Sequence, residues 1–278
     1  MGMRPPTNSP EAIKRRGEEV ILRRENFWIE LPEREELLER LHRLATQPAR
    51  SRERSMAIIA EANGGKSGLL KRYQALHPRY DLEDRTIVPS ILIDMSATTR
   101  VEDLSTAMLE ALGAADPESG HHTSRLKRFV ALSRQVQLGL VLLDEFHEAA
   151  DHSGKGKPFL KCIKRLMNDG VIVVPAGVDE LRTVFLSDTQ LSTRFLFGHG
   201  SLKRITDVGI IKGLMTHISA LGDDQIDDDA VDYVLKETLG IFGHVGDLIE
   251  GTFIATGALS LKALKAERKI MDCLDGLV

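Results

Sequence analysis

The sequence predicts an α/β fold: a central parallel five-stranded sheet flanked by helices, followed by a small C-terminal helical lid. Three observations predict it. Short apolar runs alternate with amphipathic segments between 56 and 206, the pattern of crossover units on a parallel sheet. From 208 onward only helical periodicity remains. Directly after the first apolar run stands "EANGGKS" (61–67), a glycine pair, lysine and serine of the kind that cradles phosphate between strand and helix.

Residues 1–25 show no hydrophobic period and are expected to form an extended or mobile tail. Leu37, Leu38, Leu41 and Leu44 at helical spacing predict a helix over 32–48, ended by Pro48. "MAIIA" (56–60) is a buried strand and 66–76 the helix after it. "TIVPSILIDMS" (86–96) is a second strand, and 103–113 and 125–137 are helices. "LGLVLLDE" (138–145), almost continuously apolar, is a central strand. A helix closed by Gly170 follows, then a fourth strand, "VIVVPAG" (171–177), and a short fifth within "HGSLKRIT" (199–206). Helices over 208–221, 228–239, 244–257 and 260–273 complete the chain. The domains predicted are a tail over 1–27, a nucleotide-binding α/β domain over 28–206 and a helical lid over 207–278.

Composition narrows the class. The 278 residues are 42% hydrophobic and 28% charged, enough for one large α/β domain and a smaller one. Cys162 and Cys273 are far apart and lack metal-ligand spacing, which predicts a reduced, cytoplasmic protein without a disulfide framework. No run of about 18 apolar residues occurs, and no apolar signal segment opens the chain. His147, His121 and His122 have no matching ligands, so no zinc site is expected. A net charge of −4 hides unequal halves, because basic "IKRRGEEVILRR" and "ARSRER" contrast with acidic "GDDQIDDDAVD".

A phosphate loop needs glycines so that the backbone can turn tightly and aim its N–H groups inward. Asn63, Gly64, Gly65, Lys66, Ser67 and Gly68 are the expected nucleotide contacts, Lys66 for the β- and γ-phosphates and Ser67 for Mg²⁺. The pattern's first glycine is Ala60 here, which a negative φ would tolerate. On its own, such a loop has a plainer alternative, a Gly-rich turn capping a helix. "LVLLDEF" decides the matter, because it puts an acidic pair at the carboxyl end of a hydrophobic strand. Asp144 then serves Mg²⁺ through water and Glu145 polarises an attacking water. A nucleoside triphosphate, ATP with Mg²⁺, is the expected ligand. The sequence lacks a guanine-reading N-K-x-D.

Four stretches, "ATQP…RERSMAIIAEANGGKS", "LVLLDEFHE", "VIVVPAGVDELRTVFLSDTQLSTRF" and "LGIFGHVGDLIE", resemble P-loop AAA+ ATPases, and specifically the TniB/TnsC family of transposition regulators. The string D-x-Q-L-x-x-R-F at 188–195 is the most specific, and the resemblance covers roughly 28–270. It implies an ATP-dependent homo-oligomer, ring or filament, that assembles on double-stranded DNA, selects target sites and activates a DDE-type transposase. In some systems a TniQ-like adaptor takes part. Arg194 matches the arginine finger that completes a neighbour's site, with Arg182 as runner-up; a surface arginine in an ion pair is the plain alternative. The chain departs from the family at two positions. Val178 replaces the polar sensor after the fourth strand. His244 stands where the lid often brings an arginine to the γ-phosphate, either as a contact or as a cap or packing residue. Slow hydrolysis, with ATP as an assembly switch, is the consequence.

The family tracks DNA with the region after the second strand, which implicates Thr98, Thr99 and Arg100 as phosphate contacts; Thr99 could equally cap the next helix. Few aromatics argue against base stacking, so binding should be salt-sensitive and largely sequence-independent. Competing readings are a helicase loader or protein-remodelling ATPase, and a nucleotide-dead scaffold.

Overall fold

Two apolar cores organise the chain, one around a parallel sheet and one of helices alone. The computed structural model describes residues 9–25, 28–48, 54–96, 98–149 and 156–275. Residues 1–8 of the expected tail and 49–53 of the second basic stretch lie outside the described residues. The chain divides into two units. One spans Glu30–Leu202; the other joins the chain up to Ile29 with the chain from Lys203.

Helix α1 (Pro10–Glu25) stands where the sequence predicts a tail without fixed structure. Its buried face is Ala12, Arg16 and Val20, one residue per turn. An arginine at the centre of that stripe is what conceals the apolar period. Arg16 buries its stem and donates from Nε to the Ile254 carbonyl at 2.9 Å and from Nη2 to the Ala255 carbonyl at 3.2 Å. Such carbonyls at a helix end lack intrahelical partners, and a cation suits them. Arg23 does the same for Ile218 at 2.8 Å, and Arg24 pairs at 3.1 Å with Glu250, whose carboxyl burial pushes above its usual range. Arg16→Ala should therefore cost the helical unit about 1.5–3 kcal/mol, the worth of a charged hydrogen bond. Urea titration would read this as a lower midpoint; an unchanged midpoint would mean that α1 contributes nothing to that unit.

In the α/β unit, helix α2 (Pro32–Thr46) buries Leu37, Leu38 and Leu41 behind a first-turn proline. The apolar run 56–60 forms two short strands, β1 (Ser55–Met56) and β2 (Ile58–Ile59), and leads to helix α3 (Lys66–Leu76). The stretch 86–96, predicted as one strand, divides at Pro89, which has no N–H for a ladder. Its first part, β4 (Thr86–Ile87), closes an antiparallel hairpin with β3 (Tyr80–Asp81), while β5 (Ser90–Asp94) enters the main sheet. After α4 (Val101–Ala111) and α5 (His122–Gln135) comes β6 (Leu140–Asp144), buried at all five positions. Short α6 (Phe146–Ala149) and amphipathic α7 (Lys157–Asn168) lead to β7 (Val173–Gly177). Helices α8 (Glu180–Leu186) and α9 (Thr189–Ser192) precede β8 (Phe195–Leu196).

The sheet runs β5-β6-β7-β2, all parallel, and β8 pairs with β1 in parallel on the far side. The fifth strand is thus earlier than the 199–206 expected for it. Past Leu196 the chain turns through Phe197–His199 and keeps only a bridge from Ser201 to Ile59. Gly200 explains the close passage, since a Cβ there would lie 1.8 Å from the Ala57 carbonyl oxygen.

In the second unit α10 (Val208–Ser219), α11 (Asp228–Thr238), α12 (Phe242–Thr256) and α13 (Leu261–Asp275) fall where the periodicity puts them. Their core includes Leu214, Val234, Leu248 and Leu264, with Val20 from α1. Among the described residues no helix is long and apolar enough to cross a membrane.

Candidate nucleotide site

The loop between β2 and α3 leaves the carboxyl end of a parallel strand, the edge at which open α/β sheets bind ligands. Asn63 has φ 57° and Gly65 φ 90°, so the backbone reverses hand twice just before the helix. A Cβ at Gly64 would meet the Ala60 methyl at 2.7 Å and the Glu61 carbonyl oxygen at 2.9 Å. Positions 60 and 64 therefore touch. The glycine at 64 makes room for the alanine at 60, which explains how the loop closes without its usual first glycine. Gly68, in contrast, has nothing within 4 Å of a Cβ built on it.

Lys66 begins α3 and is buried, with Nζ donating to the Glu61 carbonyl at 3.2 Å and 4.0 Å from Oε1 of Glu145. Ser67 follows in the same first turn. From the neighbouring part of the sheet, Asp144 ends β6 as a buried carboxylate whose Oδ1 accepts the Glu145 N–H at 3.0 Å. Glu145 has φ 50°, a left-handed backbone unusual outside glycine, and its carboxylate is partly exposed. The structure thus brings Lys66 and Glu145 together, with Asp144 adjacent. Hard oxygen donors on Ser67 and Asp144 suit Mg²⁺. Among the described residues no group of three or more His, Cys, Asp or Glu could hold a metal by itself.

Two further residues reach this site. Arg34 of α2 is buried, and its Nη2 would be 2.8 Å from a Cβ at Gly65; burial pulls its guanidinium down to about 10. The signal was present in the sequence, since Arg34 continues the stripe of Leu37, Leu38 and Leu41 at helical spacing. His147, considered in the sequence only as a zinc ligand, has Nδ1 3.2 Å from Oε2 of Glu145.

The string at 188–195 has a clear local meaning. Asp188 caps α9 by accepting from Gln190 N at 3.0 Å and Leu191 N at 3.2 Å, and also pairs with Lys164. Leu191 and Phe195 are buried, and Phe195 stacks on Phe185 with centroids 4.6 Å apart. Arg194, between these anchors, donates from Nη2 to Asn168 Oδ1 at 2.6 Å. It precedes β8, which parallels β1, so it and the loop after β2 are at opposite edges of the sheet. Arg182 is 3.3 Å from Asp179. Val178 follows β7 and brings no polar side chain. Arg100, not Thr99, is the N-cap residue of α4, and Asp103 accepts from its backbone N–H at 3.1 Å and from Nη2 at 3.0 Å. Thr98 donates from N to the Met95 carbonyl at 3.0 Å, and Thr99 is exposed. His244 occupies the first turn of α12 in the helical unit.

A parallel sheet in this order, with a glycine-rich loop after β2, an acidic pair ending the central strand and helices after it, has the fold of the AAA+ ATPases. Among similar solved structures is a Walker-type ATPase of Pyrococcus abyssi, 16% identical, TM-score 0.60, covering 91% of this chain and 76% of that one. The Aeropyrum pernix ORC1 protein in complex with DNA is 16% identical, TM-score 0.63, with 87% and 66% covered. The ORC2 protein of the same organism, in ADPNP–ADP complexes, is 14% identical, TM-score 0.60, with 87% and 68% covered. No curated protein sequence matches. The family model for the bacterial TniB protein matches residues 20–200, more than half of the chain, and the chain belongs to the TniB family.

Proposed function

We propose that this TniB-family chain binds ATP with Mg²⁺, oligomerises on double-stranded DNA, and in that state selects target sites for and activates a DDE-type transposase. One observation carries the reading: Lys66, Asp144 and Glu145 converge at the carboxyl edge of the sheet in a chain of this family. Lys66 would meet the β- and γ-phosphates, with the N–H groups at the start of α3 turned to the same anion. Ser67 and Asp144 would hold Mg²⁺, which when bound neutralises charge on the phosphate oxygens. Glu145 would accept the proton of the attacking water. His244 is proposed as a contact near the γ-phosphate, weaker than an arginine. With Val178 in place of a polar sensor and His244 in place of an arginine, hydrolysis is slow and ATP serves mainly as an assembly switch.

DNA contact is proposed through the loop after β5, by Thr98, Thr99 and Arg100, with Asp103 surrendering Arg100 to phosphate. Support comes from a protein of the same fold solved in complex with DNA. Contacts of this kind are sequence-independent and weaken steeply with salt. A TniQ-like adaptor is a further partner in this reading. A helicase-loading or remodelling ATPase would oligomerise without stimulation by duplex DNA.

Arg194 is proposed to act in trans, since it stands at the edge of the sheet opposite its own loop and would complete the site of a neighbour. Arg194→Ala and Lys66→Ala proteins, each inactive alone, should recover part of the ATPase activity when mixed, because one type of interface pairs an intact loop with an intact finger. Failure to recover at any ratio, with co-assembly demonstrated, would count against the assignment, and full activity of Arg194→Ala would end it.

A further inference from the structure

We propose that His147 is a positioning residue for Glu145, supplying between the ends of β6 and β7 the polar group that Val178 does not. The inference rests on the hydrolytic reading of the site and names a residue in it. Glu145 has a basic group near each carboxylate oxygen. Oε1 is 4.0 Å from Lys66 Nζ and Oε2 is 3.2 Å from His147 Nδ1. A triphosphate would claim Lys66 and weaken the first tether. The second does not involve the phosphate loop, so it persists when substrate is bound.

The imidazole is well placed for this. It sits on α6, whose flanking residues Phe146 and Ala149 are buried and fix the short helix against the core. A Cβ built at Gly177, the last residue of β7, would meet His147 Cβ and Nδ1 at 3.2 Å each. The ring therefore occupies the space that a side chain at 177 would take. Its Nδ1 is buried and makes no well-aligned hydrogen bond among the described residues, although Oε2 of Glu145 is within reach. A buried polar atom left in that state calls for a role, and catalytic positioning is one. With the proton on Nδ1, His147 donates to Oε2 and leaves Oε1 to accept from water. The strained backbone of Glu145 makes the tether more useful, because the carboxylate has no regular helix or strand to orient it.

The test compares His147→Ala, His147→Asn and His147→Gln for steady-state ATP hydrolysis and for binding of a fluorescent ATP analogue. Asparagine can place an amide near Nδ1; glutamine reaches past it. Alanine should lower kcat roughly ten- to a hundredfold, the usual effect of removing a group that orients a reacting one, with analogue affinity unchanged. Asparagine should restore most of the rate and glutamine little of it. In a Glu145→Gln background, His147→Ala should add no further loss of rate. Full kcat in His147→Ala, equal losses for alanine and asparagine, or a parallel loss of analogue affinity would each overturn the proposal. If the parental protein hydrolyses ATP, any of these outcomes removes His147 alone; if it does not, the hydrolytic reading itself falls.

Discussion

Lys66→Ala is expected to abolish nucleotide binding and, with it, assembly on DNA. Lys66 Nζ is buried at the mouth of the loop and is already held by the Glu61 carbonyl, so its desolvation is met before the ligand arrives. Removing one partner of such a buried charge contact costs about 2–5 kcal/mol. That corresponds to a roughly thirtyfold to several-thousandfold loss of affinity. Arg34 fills the space that a side chain at Gly65 would take, whereas Lys66 Nζ lies 4.0 Å from the carboxylate of Glu145. Isothermal titration with ATP and Mg²⁺ gives the answer, with circular dichroism to confirm the fold. Unchanged affinity would remove the phosphate-loop assignment.

Glu145→Gln should leave ATP binding intact and slow hydrolysis by about a hundredfold or more, the scale of losing a general base. The amide keeps the size and backbone of the glutamate but cannot accept a proton, while Asp144 retains its carboxylate. ATP would then persist in the site, and DNA-bound assemblies should outlive those of the parental protein. Single-turnover hydrolysis and dissociation from labelled duplex measure the two effects. Hydrolysis at the parental rate would show that Glu145 does not activate the water.

Much of this was legible in the sequence because backbone chemistry leaves local marks. β7 is apolar throughout and β6 is so up to its last residue, as strands buried on both faces must be, and the acidic pair Asp144–Glu145 at the end of β6 marks the sheet edge. Gly65 and Lys66 mark the loop for the same local reason. What stayed hidden depends on contacts distant in sequence. Helix α1 has only Ala12 and Val20 as apolar members of its buried stripe, and Arg16 between them makes sense only beside the carbonyls of Ile254 and Ala255. The division of 86–96 follows from a hairpin partner at Tyr80–Asp81 that no period announces. Arg34 and His147 were overlooked because a charged residue on an apolar stripe and a lone histidine after an acidic pair gain meaning only from Gly65 and Gly177.

The most direct test of the account is electron microscopy of the protein with duplex DNA and a non-hydrolysable ATP analogue. The account predicts regular assemblies on DNA that form only with nucleotide, disperse at high salt and are absent for Lys66→Ala. Assemblies that form equally well without nucleotide or with the Lys66→Ala protein, or none on DNA in its presence, would contradict it.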